Sequence, residues 1–193
     1  MGSKILTFSS IALFVISLVL LTVGFSSYWY VYESRIDSDT KIYIKYNKEK
    51  IVDEDRETSY TQDWSDQDDR KNEKKTYNIA LAFDVLAWIV TILVIGLLLV
   101  SLKVSNKLVK FLTIGLSILS LIFIIISFGS FTKLPDAIDQ DIKDRNLICN
   151  DDICEKFLNG SSNGPSVGWS VVVASMLFTF GGILISAFTL LKH

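Results

Sequence analysis

Four uninterrupted apolar runs constrain this chain more than any other feature: Ile5 to Phe25, Ile79 to Leu102, Phe111 to Phe131 and Trp169 to Leu191. A hydrocarbon layer about 30 Å thick takes about 20 helical residues at roughly 1.5 Å each, and every run reaches that length. Half of the 193 residues are hydrophobic and the mean hydropathy is +0.39, which is too apolar for an ordinary soluble domain. The expected fold is an all-α integral membrane protein, with spans at residues 5–25, 79–102, 111–131 and 169–191 in a single domain over residues 1–193. The first run is longer than the roughly 7 to 15 apolar residues of a secretory signal. It is therefore expected to remain as an uncleaved anchor, although the small residues Ser26 and Ser27 follow it.

The polar remainder consists of two outer loops, residues 26–78 and 132–168, and a short turn at 103–110. Lys4, Lys103, Lys107, Lys110 and Lys192 fall in the tails and the turn, with no acid among them, whereas the two loops hold every acidic residue except Asp84. Lysine and arginine near spans in short segments set orientation, and long loops translocate largely regardless of charge. Both termini and the turn are thus expected on the cytoplasmic side, with both loops facing the lumen or the cell exterior, in the plasma membrane or an endomembrane. Two features agree. Cys149 and Cys154 lie together in the second loop, where an oxidising compartment would let them form a disulfide. Asn159, in the sequence NGS, is an acceptor for N-glycosylation on the same side.

The first loop opens with YWYVY and continues to KIYIKY, where β-branched and aromatic residues alternate with others in the manner of a strand. SYTQDW offers another, so a small extracellular β-sheet from the first loop is expected to rest on the helix ends. The charged run DQDDRKNEKK reads as a solvated loop or as the exposed first turn of the second helix. Tyr28, Trp29 and Tyr30 where the first span emerges, and Trp169 at the fourth, are placed for an aromatic belt at headgroup level. In the second loop, DAIDQDIKD lacks the ordered spacing and glycine of a calcium loop. A short amphipathic helix with Ile138 and Ile142 on one side is expected there.

Lipid supplies no hydrophobic force between helices, so spans associate through small residues and through polar side chains that bond across. Each span carries such residues on one stripe: Ser10, Ser17 and Gly24; Ala80, Asp84, Ala87 and Thr91; Thr113, Ser117, Ser120 and Ser127; and Gly168, Ser175, Thr179, Gly182, Ser186 and Thr189. Steps of three, four and seven describe a 3.5-residue repeat, and hence a left-handed antiparallel four-helix transmembrane bundle. Asp84 is the one acid inside any span. Its depth matches that of Thr22, Ser127 and Ser175, which together are expected to form an intramembrane polar hub. An intramembrane acid is also the usual mark of an ion or proton path, and this remains the competing reading.

Four spans, a longer strand-bearing first outer loop, Trp29 where the first span emerges and Trp64 further on give the chain an outline that resembles the claudin and peripheral myelin protein superfamily. That family's Gly-Leu-Trp followed by two cysteines is absent from this first loop. The resemblance implies a non-enzymatic protein that organises membrane or makes cell-surface contact or adhesion through its outer loops. Expected partners are the lipid bilayer and other membrane or surface proteins, including further copies of the chain, and not nucleic acid. The alternative is a small ion channel, transporter or auxiliary channel subunit using Asp84. No catalytic residue, metal site or cofactor is expected, because the sole histidine is the terminal His193 and the cysteines do not form a CxxC pair.

Overall fold

The computed structural model describes residues 2–33, 40–64, 70–104, 106–145, 157 and 163–191. Cys149, Cys154 and Asn159 lie outside them. The elements, in chain order, are α1 (Gly2–Ser26), β1 (Tyr30–Glu33), β2 (Thr40–Ile44), β3 (Lys48–Asp53), β4 (Thr58–Asp63), α2 (Lys71–Ser101), α3 (Lys107–Phe131), α4 (Leu134–Asp144), β5 (Asn163–Pro165) and α5 (Val167–Leu191). Two compact units divide the chain: one comprises Met1–Phe25, Phe83–Ile126 and Val171–His193, the other Ser26–Ala82 and Ser127–Ser170.

Helices α1, α2, α3 and α5 are each long and apolar enough to cross a membrane, which suggests an integral membrane protein. The buried positions recur every three and four residues, as the small and polar stripes imply. On α1 they are Thr7, Ser10, Phe14, Ser17, Leu21 and Gly24, and within the first unit α5 buries Val172, Ser175, Thr179, Gly182, Ser186 and Thr189. Hydroxyls and glycines are inside, whereas Phe8, Phe111 and Leu177 are more than half exposed. Water would reverse that arrangement, and lipid permits it. Ser10 meets Ser186 at 2.6 Å and Ser17 meets Thr179 at 2.7 Å, so α1 and α5 run antiparallel along a seam of hydroxyl pairs. Thr91 meets Ser120 at 2.8 Å on the seam between α2 and α3. An apolar cluster of Phe14, Val90, Val94 and Leu98 joins α1 to α2.

The second unit is built on a five-stranded antiparallel sheet of order β4-β3-β2-β1-β5. Four strands come from the first loop. The fifth comes from the second loop, which corrects the expectation of a sheet made by the first loop alone: Asn163, Gly164 and Pro165 pair with Tyr32, Val31 and Tyr30. The signal for β5 is weak because NGP contains no strand former, and its pairing is set by β1 and by the start of α5. There the Ser166 and Gly168 N–H groups donate to the Trp29 and Tyr28 carbonyls, each at 2.8 Å. Gly168 is required at that point, since a Cβ would stand 2.5 Å from the Trp29 ring and 2.8 Å from the Tyr28 carbonyl oxygen.

Phe131, fully buried, is the centre of this unit's core, with ring centroids 4.9 Å from Tyr77, 5.0 Å from Trp29 and 5.7 Å from Phe157. Edge-to-face pairs of this kind contribute about 0.5–1.5 kcal/mol beyond their buried area. The helix expected in the second loop is α4, but its buried face is Leu134, Ala137 and Asp141. Ile138 and Ile142 are only half-buried. An acid takes the inner position for a reason given by α2.

Candidate functional site

The first two turns of α2 are the charged KNEKKTYN, and they are helical because neighbouring side chains complete them. A helix N-terminus leaves N–H groups without intrahelical partners and favours negative charge. Asp141, reaching from α4, accepts the backbone N–H groups of Asn72 and Glu73, both at 2.9 Å, and the Asn72 side-chain amide at 2.8 Å. One buried carboxylate therefore caps α2 and ties α4 to it.

Arg70, immediately before α2, is held on three sides. Its guanidinium donates to both Glu73 oxygens at 2.6 and 2.7 Å, and to Glu49 of β3 at 2.8 Å. Its plane lies over the Trp64 ring, 4.4 Å from the centroid. Burial works against the charge, but the hydrogen bonds to Glu73 outweigh it and hold Arg70 above its already high range. Gln62 of β4 donates its side-chain amide to Glu49, and the Trp64 indole N–H donates to the Lys45 carbonyl at 2.9 Å. Burial pushes the Tyr32 phenol upward, with the neighbouring Arg70 charge pulling the other way. Arg70 and Glu73 thus depart from the reading of their run as a solvated segment. Glu49 and Asp141, distant in sequence, are the partners that a local pattern cannot reveal.

In the helical unit, Asp84 is fully buried and neither carboxylate oxygen has a hydrogen-bond partner among the described residues. Ser175, also buried, donates to the Val172 carbonyl at 2.7 Å. Thr22 is exposed, donates to the Leu18 carbonyl at 2.8 Å and accepts the Trp88 indole N–H at 3.0 Å. In the sheet unit, Ser127 donates to the Ala80 carbonyl at 2.8 Å. The hydroxyls expected around Asp84 thus each have a backbone acceptor of their own. The aromatic belt divides likewise: Trp29 and Tyr30 are buried among Phe131 and Phe157, while Tyr28 and Trp169 keep partly exposed faces.

Two arrangements follow, with different chemistry. In the Arg70 cluster the guanidinium is matched to the Glu73 and Glu49 carboxylates, which fixes their geometry. Asp84 is a buried acid with no hydrogen-bond partner among the described residues, the kind of group that can exchange a proton or attract a cation. No protein-family model matches this chain, and no curated protein matches its sequence.

Proposed function

We propose that the chain is a non-enzymatic four-span membrane protein that organises membrane and makes surface contacts through its two outer loops. In this reading α1, α2, α3 and α5 cross the membrane as a left-handed antiparallel bundle, both termini are cytoplasmic, and the loops lie at the cell surface or in a lumen. Cys149 and Cys154 would there pair, and Asn159 would carry glycan. The observation that carries the reading is the sheet. Strands from both loops join in one platform, locked to the start of α2 by Arg70 and Glu49, and such rigidity suits recognition by shape. The hydroxyl seams support it too, because Ser10, Ser17, Thr91 and Ser120 bond across helices as packing groups. The outline shared with the claudin and peripheral myelin protein superfamily, Trp29 and Trp64 included, points to the same class.

A second reading, an ion or proton path through Asp84, is favoured by one observation, a buried carboxylate without a hydrogen-bond partner among the described residues. One experiment separates them. Cells expressing the fluorescent full-length chain are expected to enrich it where two expressing cells touch, and Asp84→Asn is expected to do so equally. Uniform distribution, together with an ion or proton flux abolished by Asp84→Asn, would contradict the contact role and establish the second reading.

A further inference from the structure

Among the described residues, the sheet separates its charges along the strands. Its far end, at Glu33 and the turn between β3 and β4, carries Asp53, Glu54, Asp55 and Glu57. Its near end is continuous with a long helix. α1 stops at Ser26, and the Trp29 N–H then donates to the Ile44 carbonyl at 2.8 Å, so Lys45 lies beside the chain as it leaves α1. Here β2 and β3 bring together Lys45, Lys48 and Lys50. Ile44 pairs with Glu49 and the Lys45 N–H donates to the Lys48 carbonyl at 2.9 Å, which sets these two lysines directly opposite each other. Lys50 is opposite Tyr43, and strand alternation puts all four on one face, away from the buried Ile44 and Glu49. The Tyr28 ring meets Tyr43 edge-on at 6.1 Å, and the Lys45 ammonium lies 5.8 Å from the Tyr28 centroid and 5.7 Å from that of Tyr46. Lys41, further along this face, is paired with Glu54. Lys45, Lys48 and Lys50 make no ion pair among the described residues, although Asp63 stands opposite Lys48 in register. Like charges directly opposite on a sheet repel, and an anion between them removes the repulsion.

We propose that this face is a lipid headgroup site, on which Lys45, Lys48 and Lys50 hold the phosphate of an anionic phospholipid from the leaflet where α1 emerges. Tyr28, Tyr43 and Tyr46 supply the amphipathic surround that suits headgroup depth. Position is what favours a lipid over a soluble anion. The three lysines without an ion pair gather at the end of the sheet that continues from a membrane helix, beside a tyrosine two residues past it, and the acids lie at the other end. Each lysine near an anionic surface contributes about fivefold in affinity, so three contribute on the order of a hundredfold. The inference deepens the membrane-organising role proposed above and rests on it for the leaflet concerned. The two fail separately, because headgroup preference is read on purified protein and enrichment at cell contacts is read on cells.

The test uses the full-length protein in phosphatidylcholine vesicles carrying a trace of spin-labelled phosphatidylglycerol or spin-labelled phosphatidylcholine. The fraction of each label immobilised by the protein, read by electron paramagnetic resonance, gives the preference for one headgroup over the other. Lys103, Lys107 and Lys110 attract the same lipid through a separate part of the chain, so all three are first changed to Gln. In that background phosphatidylglycerol is expected to be held several-fold over phosphatidylcholine, and Lys45→Gln, Lys48→Gln and Lys50→Gln together are expected to bring the ratio down toward one. Lys50→Gln alone is expected to lower it partway, which keeps the result readable without the triple change. Lys41→Gln, on the same face but already paired with Glu54, is expected to leave it unchanged. A ratio that persists in both the single and the triple variant would overturn the proposal. So would a ratio abolished by inorganic phosphate at an ionic strength where chloride leaves it intact, which marks a site for a free anion. Heparin binding lost in the triple variant while the lipid ratio stays unchanged would overturn it in favour of an acidic polysaccharide.

Discussion

Arg70 faces two carboxylates and an indole, so its removal changes more than one bond. Arg70→Met leaves Glu49 and Glu73 buried without their cation, a loss of about 3–5 kcal/mol for a pair broken from one side. The detergent-solubilised protein is expected to melt in two steps or at a clearly lower temperature, whereas the exposed pair Lys143–Asp139 can be broken by Lys143→Met with little effect. Near-equal melting of the two variants would show that the cluster does not hold the sheet to α2. Part of this was legible in the sequence: Arg70 and Glu73 are three apart, the spacing of helical ion pairs. Glu49 and Asp141 were not, because long-range pairing of charges leaves no local pattern. Asp84 stood out at once as the one acid in a span, but where the surrounding hydroxyls bond is decided by packing, and Ser175 and Ser127 turn to backbone carbonyls within their own units.

The elements differ in how much they owe to local pattern. The buried faces of the long helices were readable because 3.5-residue spacing of small and polar residues is itself the packing rule in lipid. Gly182 lies on that face, and a Cβ there would stand 2.8 Å from the Phe14 ring, which is fixed by Val90, Val94 and Leu98. Gly182→Ala is expected to lower stability by about 1–3 kcal/mol. Gly96→Ala, with nothing within 4 Å, should be neutral or slightly stabilising, and thermal melting of the two variants side by side checks the contrast. At the start of α2 the helix depends on a residue 69 positions away. Asp141→Ala is expected to cost about 1–2 kcal/mol and to speed amide hydrogen exchange at Asn72 and Glu73. Unchanged exchange would mean that α2 is capped by other groups. β3 and β5 escaped the sequence because KEKIVD is charged and NGP is a turn composition, and both are strands through the neighbours they pair with.

For the whole molecule, the number of long helices and the inversion of polarity follow from the apolar runs, while the joining of two distant loops in one sheet required the structure. Cytoplasmic ends, as proposed above, would put that sheet where another surface can meet it, and the proposed contact role depends on this sidedness. Lysine supplies the measurement. Intact cells treated with a membrane-impermeant amine reagent are expected to be labelled at Lys48, Lys50 and Lys143, with Lys103, Lys107 and Lys110 labelled only after permeabilisation. Labelling of the 103–110 turn in intact cells, with the loop lysines protected until permeabilisation, would contradict a surface-contact protein built in this way.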